Sequence, residues 1–166
     1  MATDSPGTAL WGIWGSSPDD MWAVGAKVLL PGPDDAEPEG DVVLHYDGAS
    51  WSRVDVPPLT DNPTQTGSLF KVWGSGPSDV WIVGGTTTFY HWDGATWTAH
   101  ETPAMSGPFF TIAGRGPNDV WAIGGLALPE LLHWDGSTWE SVEMPEWAPP
   151  NMPGLWTAPG ESVYVA

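Results

Sequence analysis

The sequence contains no cysteine, which excludes disulfide bonds, thiolate zinc sites and cysteine nucleophiles together. Basic residues are scarce as well: 4 lysines and arginines stand against 21 aspartates and glutamates, a formal net charge of −17. A surface of this sign repels phosphate backbones and anionic lipids. Apolar runs long enough to span a bilayer are absent, and the first nine residues lack the regions of a signal peptide. We therefore expect neither a nucleic-acid partner nor membrane insertion.

The chain is rich in Gly (21), Pro (18) and Trp (13), and these residues recur in two phrases. The first, Gly-x-x-Pro-x-Asp and an apolar run, occupies residues 15–25, 74–84 and 114–124. The second, His-x-Asp-Gly or His-Trp-Asp-Gly followed by Trp, occupies residues 45–51, 91–97 and 133–139. Equivalent residues lie 40 to 59 positions apart. Repeats of about 40 to 50 residues are typical of blade arrays.

Each repeat unit predicts four short strands, which we call A to D. Strand B, at residues 20–25, 79–84 and 119–124, is apolar on both faces and should lie between two layers. Strand C ends at an Asp-Gly pair, in which Gly supplies a positive φ and Asp accepts turn amides. Strand D begins at a tryptophan and ends before a proline.

These signals predict an all-β chain: a β-propeller of four-stranded antiparallel blades, with about three and a half blades present. The expected organisation is a polar lead-in at 1–9, blade 1 at 10–57 with an acidic B–C insertion at 27–41, blade 2 at 58–103, blade 3 at 104–145 and the first half of blade 4 at 146–166. Because such a partial ring cannot close, we expect its partner to be the remainder of the propeller or a second copy of the chain.

The units resemble bacterial β-propeller repeats of the form Gly-x-x-Pro-x-Asp-Val-Trp-Ala-Val-Gly followed by His-Trp-Asp-Gly-x-x-Trp, which are related to Asp-box and kelch-like propellers. The resemblance spans residues 10–166. It implies a module of an exported protein, at the cell surface, outside the cell or in the periplasm.

Residues that recur in every unit are expected to be structural, since a blade needs them each time and a site needs its residues once. This group comprises Trp22, Trp81, Trp121, Trp51, Trp97, Trp139, Asp47, Asp93 and Asp135. Asp20, Asp79 and Asp119 are likewise predicted to fix turns. His45, His91 and His133 occupy equivalent places on three blades, so they are predicted to pack or hydrogen-bond and not to share a metal ion.

The loops that differ between units are the better candidates for function. Unit one spends nineteen residues between strands B and C, where unit two spends six and unit three eight. The D–A connections at 57–68 and 145–154 are also long, and their sequences do not repeat between units. In a meander these loops emerge on one face, which we predict to be the binding surface. The candidate residues there are Trp147, Asp34, Asp35, Glu37, Glu39, Asp61 and Asn62.

We expect this face to bind a protein, as a non-catalytic interaction or scaffolding module. The alternative is a carbohydrate-binding, lectin-like propeller. It depends on Trp147, the one tryptophan outside every repeat column, whose ring offers a face on which a sugar can stack. The acidic loop is expected to be solvated, and the alternative is that it binds a calcium ion through Asp35, Glu37 and Asp41. No other cofactor is expected. Catalytic motifs are absent, and Arg53 and Arg115 are the only arginines, so a fragment of a propeller glycosidase is the less favoured hypothesis.

Overall fold

The computed structural model describes residues 8–27, 40–57, 68–126, 128–145, 148, 154–157, 160 and 162–165. These residues form strands and no helix, so none of them belongs to a helix that could cross a membrane. The strands are β1 (Thr8–Ser17), β2 (Asp20–Lys27), β3 (Gly40–Tyr46), β4 (Trp51–Arg53), β5 (Leu69–Gly76), β6 (Asp79–Gly84), β7 (Thr88–Trp92), β8 (Trp97–Glu101), β9 (Phe109–Gly116), β10 (Asp119–Gly124), β11 (Glu130–Trp134), β12 (Trp139–Val142), β13 (Leu155–Trp156) and β14 (Tyr164–Val165).

The strands pair as antiparallel meanders, each between chain neighbours. Three four-stranded sheets have the orders β1-β2-β3-β4, β5-β6-β7-β8 and β9-β10-β11-β12, and β13 pairs with β14 alone. The first strands of successive sheets pack side by side, β1 on β5, β5 on β9 and β9 on β13. This is the predicted fold class, a partial β-propeller with three blades and the first half of a fourth.

The middle strand β6 has both faces buried, as its continuous apolar run predicts. Val80 and Ile82 belong to a core cluster with blade 1, whereas Trp81 and Val83 belong to a separate cluster with blade 3. Burial on two sides is available only to a strand that has a blade on either side of it.

Tryptophans form contacts between neighbouring blades. The ring of Trp22 lies 5.4 Å from that of Trp92 and 5.1 Å from that of Trp97 in blade 2. Trp81 repeats the arrangement with blade 3, at 5.1 Å from Trp134 and 5.2 Å from Trp139. Tilted and edge-on geometries at these distances are favourable for aromatic pairs.

The C–D turns are built by their aspartates. Oδ1 of Asp93 accepts hydrogen bonds from the amides of Ala95 (2.8 Å) and Thr96 (2.7 Å), and Gly94 has a φ of 95°. Asp47 and Asp135 accept the equivalent pairs of amides. The amides of Thr138 and Ser137 and the Ser137 hydroxyl lower the pKa of Asp135 to about 2.

Equivalent isoleucines in β1 and β9 offer a matched test of blade packing. Ile112 is 1% exposed between blades, whereas Ile13 is 63% exposed on the outer face of blade 1. We expect Ile112→Ala to reduce the free energy of unfolding by about 2–5 kcal/mol, because it leaves a cavity in the core. Ile13→Ala should cost less than about 0.5 kcal/mol. Urea denaturation of dilute protein measures both, and equal losses would contradict this packing.

Candidate functional site

Most of the predicted binding residues lie outside the described part of the chain. These are Trp147, Asp34, Asp35, Glu37, Glu39, Asp61 and Asn62. Their roles, and the calcium ion proposed for the acidic loop, stay predictions. The described part does contain Asp41, and it contains two other segments of the predicted face, the B–C connection of blade 3 and the D–A connection between blades 2 and 3.

Asp41 lies in β3 and is half-buried, with its Oδ1 atom shielded from solvent. Its Oδ1 atom has no hydrogen-bond partner, and Nη2 of Arg53 donates instead to the Asp41 backbone carbonyl at 3.0 Å. Burial raises the pKa of Asp41 from 3.8 to about 6, and the charge of Arg53 opposes this only in part. Among the described residues no three His, Asp or Glu side chains come close enough to hold a metal ion.

The raised pKa makes the stability of the fold depend on pH through Asp41. The folded protein favours the protonated form of Asp41, so Asp41 adds to the free energy of unfolding below about pH 4. This contribution is lost as the pH rises toward 6. We expect Asp41→Asn to remove this loss, with a gain on the order of 1 kcal/mol at pH 7 after solvent screening. Urea denaturation between pH 4 and 7 measures it.

Asp135→Asn is the control for that experiment, because the low pKa of Asp135 keeps it ionised throughout this range. A parallel pH dependence in wild type and Asp41→Asn would contradict the assignment. Calcium that stabilised wild type but not Asp41→Asn would support the calcium prediction.

Three His–Asp pairs recur, one in each blade. Nε2 of the histidine lies 2.7, 2.7 and 3.0 Å from Oδ1 of the aspartate, in the order His45–Asp20, His91–Asp79 and His133–Asp119. Each histidine ring also stacks at 4.2 Å on the strand B tryptophan of its own blade. The aspartates, predicted to fix turns, therefore also orient the histidines against the core.

Asp79 shows both roles in one carboxylate. It accepts hydrogen bonds from His91 and from the Ser75 hydroxyl across the β5–β6 turn. Burial would raise the pKa of Asp79, but the hydrogen bonds from His91 and Ser75 outweigh it and lower the pKa. All three groups belong to blade 2, so these hydrogen bonds tie β7 to the β5–β6 turn within one blade.

A groove of about 490 Å³ lies where the D–A connection of blades 2 and 3 meets the B–C connection of blade 3 and the end of β12. Its volume is in the range of small-ligand and peptide side-chain sites. It is lined by Met105, Ser106, Leu128, Pro129, Glu130, Leu131, Ser141, Val142 and Met144.

Glu130 holds one wall of the groove in place. Its carboxylate accepts hydrogen bonds from the amides of Met105 (2.8 Å) and Ser106 (3.0 Å) and from the Ser106 hydroxyl (2.8 Å). The anchored loop presents the Met105 side chain at 94% exposure, with Leu128 at 75% on the opposite connection. Met105 and Leu128 therefore give the groove an apolar rim that is open to solvent.

The groove is suited to binding and not to proton transfer. Glu130 is the one ionisable group among its lining residues, and both of its oxygens already accept hydrogen bonds from the loop. Met105 and Met144 have flexible, polarizable side chains that adapt to irregular apolar ligands.

Comparison of the repeats did not single out this groove, although the sequence carries a signal for it. Three of the five methionines, Met105, Met144 and Met152, fall in the D–A connections that follow blades 2 and 3. Met21, by contrast, occupies a repeat column with Val80 and Val120. Methionines outside the repeat columns, in loops of the predicted binding face, would have marked the site.

No family model matches the chain, and no curated protein matches it. A solved structure described as "YCF48 bound to D1 peptide" is similar to it, with a TM-score of 0.49 and 14% sequence identity. The alignment covers 97% of this chain and 91% of that one.

Proposed function

We propose that this chain is a non-catalytic protein-binding module that recognises an extended segment of its partner through the groove between Met105, Leu128 and Met144. The observation that carries the proposal is the anchored apolar loop: Glu130 fixes the backbone of Met105 and Ser106, and the Met105 side chain is left in solvent. A preorganised loop loses little conformational freedom when a partner binds.

The lining chemistry favours a peptide over a sugar. Of the nine lining residues, six have wholly apolar side chains and none is aromatic, whereas sugar rings need aromatic faces and several free polar groups. The groove also runs beside β12, the edge strand of its sheet. An apolar segment that lies along this edge has both backbone groups and apolar pockets within reach.

The charge of the chain narrows the class of partner further. A formal charge of −17 attracts cationic segments and repels acidic ones. We infer that the partner segment is apolar at its centre and carries Lys or Arg on its flanks. Its association should slow as ionic strength rises, because salt screens the steering field.

We also propose the setting that the repeats imply: an exported bacterial protein at the cell surface, outside the cell or in the periplasm, with Asp-box and kelch-like propellers as relatives. The rest of the ring would come from further blades or from a second copy. The sequence motifs support these proposals.

Selection from a random peptide library displayed on phage tests the groove. Immobilised chain should select apolar peptides with basic flanks. The double variant Met105→Ser/Leu128→Ser should bind them at least about 10-fold more weakly, since each truncation removes apolar contact area. Fluorescence anisotropy with the synthetic peptides measures the dissociation constants.

Ile13→Ser is the matched control, because it also removes an exposed apolar side chain but from the outer face of blade 1. Selected peptides that bind wild type and the groove variant equally well would contradict the proposal. Failure to select any peptide, together with a glycan-array signal lost in Trp147→Ala, would favour the carbohydrate-binding alternative. The propeller-glycosidase hypothesis requires catalytic groups beyond those that line the groove.

A further inference from the structure

Three aromatic side chains near the start of the first strands form a continuous row, which we call the aromatic row: Trp11 of β1, Phe70 of β5 and Phe110 of β9. The ring centroids of Trp11 and Phe70 lie 5.5 Å apart, and those of Phe70 and Phe110 lie 5.7 Å apart. Trp11 is 46% exposed, and both phenylalanines are half-buried. Because Phe70 has a blade on either side of it, its open surface is a property of the repeat.

The packing between blades does not account for this row. Among the described residues, no core cluster contains any of the three rings, although Leu69 and Phe109, directly before two of them, are core residues at 3% and 0% exposure. Neighbouring first strands meet instead through contacts such as that of Trp14 on Gly74, where an added Cβ atom would lie 2.7 Å from Cη2 of the indole. The row therefore needs a separate explanation.

Each member of the row is the extra residue of a β-bulge. In the pairing of β1 with β2, Leu10 and Gly12 have partners, and Trp11 between them has none. The register skips Phe70 between β5 and β6, and Phe110 between β9 and β10, in the same way. A bulge redirects a side chain away from the alternation of its strand. Three equivalent bulges thus turn three aromatic side chains toward one surface.

The glycine that ends each strand B makes room for the bulge. A Cβ atom on this glycine would lie 1.8, 2.1 or 2.3 Å from the backbone carbonyl oxygen of the residue two positions before the bulge, in the order Gly25–Ala9, Gly84–Ser68 and Gly124–Pro108. No side chain fits at these distances. The last glycine of the first repeated phrase therefore allows the close backbone approach that precedes each aromatic residue.

The aromatic row lies on the inner edge of the blades, beside the groove but separate from it. The first strands are the ones that contact one another from blade to blade, so they lie closest to the axis. The row sits near the beginning of these strands, where the D–A connections enter. Met105 of the groove is five residues before Phe110 in the sequence, so their Cα atoms are at most about 18 Å apart. None of the three rings lines the groove.

The chemistry of the row favours a cationic ligand. The face of an aromatic ring attracts cations, and tryptophan does so most strongly. A chain with a net charge of −17 and only 4 lysines and arginines draws cations to its surface and repels phosphate groups, which disfavours stacked nucleotides. Arginine suits the row better than lysine, because its planar guanidinium stacks on ring faces and is more weakly hydrated.

The chain has a lysine next to the row, but that lysine belongs to a different repeat column. Lys71 follows Phe70, and its equivalents in blades 1 and 3 are Gly12 and Thr111. A Cβ atom on Gly12 would lie 3.1 Å from Cα of Lys71 in the next blade, and Thr111 is 8% exposed. This column therefore points between the blades, away from the open side of the row.

We propose that the aromatic row is a binding site for an arginine side chain of a protein partner. The guanidinium stacks on the exposed face of Trp11, and the apolar stem of the arginine lies along Phe70. The site does not depend on the groove or on what the groove binds.

Fluorescence anisotropy with labelled hexapeptides, in which arginine alternates with glycine, tests this site. At about 0.15 M salt the Debye length is about 8 Å, so diffuse attraction to the acidic surface is weak. The double variant Trp11→Leu/Phe70→Leu keeps apolar side chains but removes two rings, and it should bind the arginine peptide at least about 5-fold more weakly than wild type. Peptides with lysine, or with neutral citrulline, in place of arginine should bind wild type at least about 3-fold more weakly than the arginine peptide.

Trp156→Leu is the matched control, because Trp156 is a similarly exposed tryptophan, at 57%, in β13. Leu128→Ser, in the groove, is the second control, and both should bind the arginine peptide as wild type does. The single variant Trp11→Leu changes only an exposed side chain, so it should fold, and its missing indole N–H signal identifies Trp11 in the nitrogen-15 spectrum of wild type. That signal should shift when the arginine peptide is added.

Several results would overturn the proposal. A double variant that binds the arginine peptide as tightly as wild type would assign the attraction to diffuse charge. Equal binding of the citrulline and arginine peptides would show that the row does not select a cation, and loss of binding in Leu128→Ser would place the peptide in the groove. Wild type that binds no peptide, or a glycan-array signal that the double variant loses, would also contradict an arginine site.

Discussion

The structure depends on the packing of each strand B tryptophan against the next blade. Trp81 is fully buried because its ring packs against Trp134 and Trp139 in blade 3 and stacks on His91 in its own blade. His91 is in turn oriented by Asp79. A single blade cannot cover both faces of its middle strands, so its stability depends on neighbours on both sides. The aspartate, the histidine and the tryptophan of each repeat together serve this contact.

The same constraint explains where the structure leaves apolar surface. Trp121 is only partly buried, while Trp22 and Trp81 are buried, because the described residues after blade 3 supply two strands and not four. On the outer side of blade 1, the equivalents of buried core residues lie in solvent. The groove at Met105 and Leu128 differs from these ends, because Glu130 holds its wall in place within blades that are already packed.

The propeller could be predicted from the sequence because its determinants are local and recur. The pair Asp93 and Gly94 predicts a turn, and the run from Val80 to Val83 predicts a strand that is buried on both faces. Both predictions need only neighbouring residues, and both recur in each unit. The meander alone predicts that the B–C and D–A loops, which vary between units, emerge on the same face. The groove itself could not be predicted, because Met105, Leu128 and Met144 belong to three segments whose spacing has no period. The carboxylate of Glu130 holds the Met105 loop beside the segment that contains Leu128, and Met144 reaches the groove from the chain that follows β12.

The sequence by itself determined the all-β repeat, its strand order and the residues that belong to the core, since each depends on hydrogen bonding and burial within one unit of about 40 residues. The tertiary structure alone decided which glycine lies beneath which tryptophan, that the Oδ1 atom of Asp41 is buried without a hydrogen bond, and that two loops enclose a groove. These features arise between units, at distances set by how blades stack. Residue order within a unit does not contain that information.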